Sequence, residues 1–208
     1  MSLQDPAERE YLACIVEELR YGEARGQELV AACRSNPALL AWDEALAVQA
    51  LDEERHRAQL VALAATLPPP PPVPAPWRVV LDGAAQLAGT AAGVAVVHGV
   101  LESFVLADLK VVQSFWPDDR GVAQVFGAIA RDEARHVAFG DRWLRRCGPL
   151  AGAADADRRV TEWLAALADG YADSGGIEGL SRARAREFEE RTAAAHGLAS
   201  RYPVSERE

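Results

Sequence analysis

Residues 68–76 read Pro-Pro-Pro-Pro-Pro-Val-Pro-Ala-Pro, and no other stretch constrains the fold of this chain as tightly. Proline lacks the backbone N–H that helix and sheet ladders need, and its ring fixes φ. The run is therefore predicted to lie extended as polyproline II, at about 3.1 Å per residue and close to 30 Å overall. That is about the length of a helical bundle. Placed between two halves of similar size, the segment reads as a crossover returning the chain from one end of a bundle to the other.

Start and stop signals on both sides of the run are helical. Asp5-Pro6-Ala7-Glu8 sets a capping acid before a first-turn proline, opening a helix to about Arg34. Ser35-Asn36-Pro37 repeats the signal for a second helix, to about Leu67. A third, apolar nearly all round, spans about Val80 to Gln113. Trp116-Pro117-Asp118 ends it and opens a fourth, which Gly148-Pro149 terminates. Two further helical patterns follow, at about residues 157–171 and 179–197, before a polar tail. The expectation is an all-α chain. Residues 1–150 form a four-helix bundle with a long connection between its second and third helices, and residues 151–208 form a C-terminal helical extension and tail.

Composition removes several function classes. The 208 residues carry 22 Lys+Arg against 31 Asp+Glu, a net charge of −9. Such a balance cannot neutralise a phosphate backbone, so nucleic acid is not an expected partner. Three scattered cysteines, Cys14, Cys33 and Cys147, encode neither a disulfide framework nor a zinc ribbon, which suits a reducing cytoplasmic setting. The acidic start of the chain has no apolar run to act as a secretory signal. The longest apolar stretch, residues 84–97, is interrupted by Gln86, Gly89, Thr90 and Gly93, too short for a membrane span.

The chemistry lies in a repeat. Asp52-Glu53-Glu54-Arg55-His56 in the second helix and Asp132-Glu133-Ala134-Arg135-His136 in the fourth both read Asp-Glu-x-Arg-His, 80 residues apart. One Glu-x-x-His means little; two extended copies at matching places mean much more. Residues i and i+3 share a helix face, so Glu53 with His56, and Glu133 with His136, can each chelate a metal. Their face is the apolar one: Trp42, Leu46, Gln49, Glu53, His56, Leu60 in one helix and Val122, Phe126, Ile129, Glu133, His136, Trp143 in the other. Charges amid such stripes are costly unless paired or metal-bound.

Two metals need further carboxylates. Glu102 stands alone among apolar residues in the third helix. In the first helix, Glu23 is in phase with Leu12, Val16, Leu19 and Val30, and Glu18 on a neighbouring face is the second choice. The spacing favours Glu23, since Glu23 to Glu53 is 30 residues and Glu102 to Glu133 is 31. His98, one turn before Glu102, fits as a third histidine ligand, as a donor to a ligand, or as a pocket residue. Gln49 fits either as a polar pocket group or as a buried amide bonded to backbone.

This set of four Glu and two His resembles the ferritin-like di-iron carboxylate superfamily over about residues 7–147. Glu102-Ser103-Phe104, followed by Asp132-Glu133-x-x-His136-x-x-x-Gly140-x-x-Trp143-Leu144, looks like the second half of its small oxygen-activating members, including aldehyde-deformylating oxygenase. Gly22-Glu23 is similar to their first ligand segment. Asp52 and Asp132 resemble the acids that hydrogen-bond ligand histidines there, though acids paired to Arg55 and Arg135 on a helix surface read equally well. The resemblance implies a ferritin-like four-helix bundle with two iron ions, the donors suiting an Mn/Fe pair as well. It also implies O2 and a small organic substrate as reactants, an external electron donor, and an oxidase or oxygenase reaction. The rivals are ferroxidase, iron-storage or peroxide-reducing activity of the ferritin and rubrerythrin kind, and a metal-free helical scaffold. A homodimer is compatible with the pattern.

Overall fold

A computed structural model describes residues 5–87, 98, 101–147, 158, 159, 162, 165, 183, 184 and 186. Among them every regular element is helical: α1 (Pro6–Arg34), a 3₁₀ turn (Pro37–Trp42), α2 (Asp43–Ala64), α3 (Ala75–Leu87), α4 (Glu102–Phe115) and α5 (Arg120–Cys147). None of these helices is long and apolar enough to cross a membrane. The Gly148-Pro149 stop and most of the C-terminal extension lie outside the described residues.

Local chemistry explains the boundaries. The Asp5 carboxylate accepts from the Ala7 N–H at 2.8 Å and Pro6 occupies the first turn, so α1 starts as its sequence dictates. Asp119 does the same for α5, accepting from the Val122 N–H at 2.9 Å. At the end of α2 the Thr66 hydroxyl donates to the Leu63 carbonyl. Leu67, which precedes Pro68, is excluded from helical geometry by the proline ring, so the helix stops at Ala64 rather than Leu67.

Two expectations are corrected. The second helix does not run from Pro37: residues 37–42 wind as a tighter 3₁₀ turn, a frequent lead-in to an α-helix, and the α-helix proper begins at Asp43. There the first-turn acids Asp43 and Glu44 suit the positive helix end, and Asp43 receives Arg34 from the close of α1 at 2.8 Å. The extended segment is also shorter than nine residues. Helix α3 starts at Ala75, not near Val80, because Pro76 falls in a first turn where a missing N–H costs nothing.

Helix α1 packs along α2, α4 along α5, α2 against α5, and α3 against α1. The apolar stripes meet in a core of Leu12, Ile15, Val16, Leu60, Leu109, Val112, Trp116, Phe126 and Ile129. Trp116 is fully buried and donates its indole N–H to Glu8 at 3.3 Å, tying the end of α4 to the start of α1. Further along the same helices the buried positions turn polar: Glu23, Gln49, Asp52, Glu53, His56, Asp132, Glu133 and His136 are all interior.

Candidate metal centre

The polar layer is a consequence of helix phase. Each stripe that supplies the core continues by steps of three and four into acids and imidazoles, so the packing that buries Leu60 and Ile129 also turns His56 and Glu133 inward. One donor atom from each of Glu23, Glu53, His56 and Glu133 lies within 4.8 Å of the others, and the same holds for Glu53, Glu102 and His136. Glu53 belongs to both groups. Helices α1, α2, α4 and α5 thus each contribute to one cluster.

Both imidazoles are held by an acid from the opposite helix. His56 Nε2 lies 3.0 Å from Asp132, and His136 Nε2 lies 3.4 Å from Asp52. With Nε2 committed to a carboxylate, Nδ1 is the lone-pair nitrogen, and it faces the cluster: His56 Nδ1 is 3.3 Å from Glu23, and His136 Nδ1 is 3.2 Å from Glu133. Arg55 closes the arrangement by bonding Asp52 at 2.6 Å and Asp132 at 2.5 Å, and Arg135 does so at 3.0 and 2.6 Å. The two readings of Asp52 and Asp132 are therefore both satisfied: each acid serves a histidine on its inner side and two half-exposed arginines on its outer side.

Burial works against the charges. It pushes Glu23 and Glu133 well above the ordinary carboxylate range, and in each case neighbouring carboxylates push further. At Glu102 the burial penalty is outweighed by the nearby imidazoles of His98 and His136, which leave its carboxyl at about 2. Burial also lowers His56, more than Asp132 can offset, and so favours the neutral, ligating form. Asp132 escapes its own burial penalty through His56, Arg55 and Arg135, and sits at about 2.

The donor set fits a metal pair. Glu23 Oε2 and His56 Nδ1 are buried without any hydrogen-bond partner, although they belong to the same donor group. Orphaned donors of this kind are rare in a folded interior, and a cation would satisfy both. Gly26 makes room for the cluster: a Cβ there would come within 3.0 Å of a Glu53 carboxylate oxygen.

Several positions differ from, or extend, what the sequence offered. Gln49 bonds side chains rather than backbone, its amide reaching Glu53 at 3.3 Å and Glu102 at 3.1 Å. Glu18, the second choice for the first carboxylate, is held instead by Arg184 at 2.9 Å, together with Asp108 at 2.6 Å. Arg184 was not singled out from the sequence. It is fully buried and stands 76 residues beyond Asp108, and nothing in its local pattern marks it. No family model and no curated protein matches the chain.

Proposed function

We propose that this chain is a non-haem di-iron carboxylate protein of the ferritin-like kind, using O2 to oxidise a small apolar organic molecule; an Mn/Fe pair would suit the same donors. In this reading α1, α2, α4 and α5 are the helices of the bundle, and the proline segment 68–74 is its crossover. One observation carries it: four glutamates and two histidines from four helices, all buried except the partly exposed Glu102, form two overlapping donor groups that share Glu53. Glu23, Glu53, His56 and Glu133 would hold one ion, and Glu53, Glu102 and His136 the other. When bound, a pair of redox-active ions supplies the electrons that O2 reduction takes, which no side chain in this cluster can provide.

The protein's own contribution is orientation and exclusion of water. Asp132 and Asp52 fix the tautomers that point Nδ1 of His56 and His136 inward. A narrow cavity of about 60 Å³ reaches the carboxylates from one side, between α1, α3 and α4. Leu19, Leu29, Trp77, Leu81, Leu101 and Val105 wall it, and Glu23, Glu53, Glu102 and Glu133 line its inner end. The other charged lining groups are matched: Glu18 by Arg184, and Arg25 by Glu28 and Asp82. An apolar molecule suits such walls, and this favours oxidation of an organic substrate over iron storage.

The test is stopped-flow mixing of the ferrous-loaded protein with O2, with and without small apolar substrates. Faster oxidation with a substrate, together with an oxidised organic product, is the expected result; ferric mineral growth with no product would defeat the proposal. Gly22 gives a second test. A Cβ there meets only Leu81, at 3.9 Å, so a larger side chain fits the backbone but projects into the cavity. Gly22→Leu should lower substrate turnover by roughly tenfold or more while metal content stays unchanged. Equal turnover would place the substrate elsewhere.

A further inference from the structure

We propose that His98 is a seventh protein ligand, serving the ion held by Glu53, Glu102 and His136; this rests on the di-metal reading above. His98 is fully buried, and neither of its ring nitrogens has a hydrogen-bond partner. A neutral imidazole carries one N–H donor and one acceptor, and leaving both unmade in a protein interior is costly and rare. Its approach to Glu102 explains the choice of site. His98 Nδ1 lies 3.6 Å from Glu102 Oε1, too long for a hydrogen bond. Two donors that each bind one small divalent ion at roughly 2.0–2.2 Å can be separated by that distance.

The donor groups themselves are unequal. The one around His56 has four members and the one around His136 has three, and His98 meets the smaller through Glu102. The local backbone is suited to the purpose: His98 and Leu101 lie in π-type turns just before α4, a widened helical geometry that recurs at functional sites. The Phe139 ring packs perpendicular to the imidazole, with centroids 5.1 Å apart and planes at 88°.

The experiment uses the full chain loaded with cobalt(II). Each coordinated histidine then shows its own hyperfine-shifted, solvent-exchangeable ring N–H signal in proton NMR. The expected result is one signal each from His56, His136 and His98. In His98→Gln the third signal is lost, and cobalt affinity at one position falls by at least ~10-fold while the other is retained. Far-UV circular dichroism checks the fold of the variant, and if it does not fold, the signal count in the unmodified protein decides. Two bound cobalt ions with only the His56 and His136 signals would overturn this inference and leave the di-metal reading standing. Failure to bind cobalt at all would overturn both.

Discussion

Glu53→Ala is expected to empty both metal positions, while Glu102→Ala keeps the first. The difference follows from membership: Glu53 contributes to both donor groups, whereas Glu102 belongs only to the group containing His136. After anaerobic loading with Fe(II) and desalting, metal analysis should find about two ions per chain in the unmodified protein, about one in Glu102→Ala, and well under one in Glu53→Ala. Neither loss should reflect unfolding. Removing Glu53 relieves like-charge repulsion on Glu23 and Glu133, so its metal-free variant should melt no lower than the metal-free parent. Glu102→Ala instead gives up the attraction of the His98 and His136 imidazoles and should melt somewhat lower while staying folded. Equal metal content in all three proteins would mean that the ions bind elsewhere.

That cluster was legible in the sequence because helix phase is local. The stripe through Leu46, Gln49, Glu53, His56 and Leu60 repeats every three or four residues, and once Leu46 and Leu60 must be buried, Glu53 and His56 go with them. The same phase separates Glu23, which enters the donor group, from Glu18, which meets Arg184. What could not be read depends on register between helices. Whether Asp52 would reach His136 or remain a surface acid is settled by how α2 sits against α5, and no local pattern encodes that. Arg184 is the extreme case, since its partners Asp108 and Glu18 lie 76 and 166 residues away. The 3₁₀ turn at Pro37–Trp42 is a different failure: the cap-plus-proline signal opens either kind of helix, and six residues are too few for a hydrophobic period to separate them. Its consequence is spatial, because the turn ends at Trp42, which packs edge-on against Phe139 at 5.4 Å and beside Trp143.

Removing the metals should make stability fall as pH rises above the ordinary carboxylate range, and restoring them should abolish that slope. In the folded chain Glu23 and Glu133 have carboxyls raised well above 4.5, so the folded state holds protons that the unfolded state has released. A raised folded value stabilises below the unfolded value and loses that stability as pH climbs towards the folded one. Each retained proton therefore costs about 1.4 kcal/mol per pH unit within that window. Asp52 and Asp132 act with the opposite sign. Their folded values lie below 3.8, Asp132 at about 2, so their contribution is present above that value and disappears as pH falls towards 2. The metal-free protein should thus be most stable near pH 4–5, between the two limbs. Divalent ions replace the protons that Glu23 and Glu133 retain, so binding should release protons, and more of them at lower pH, measurable with an indicator dye in weak buffer. At a hundredfold excess over Kd, two sites contribute about 5 kcal/mol, and a chain of this size should then melt on the order of 10–20 °C higher. A melting temperature that ignores both pH and added Mn(II) or anaerobic Fe(II) would show that the buried acids are reconciled without metal, and the di-metal reading would fall with them.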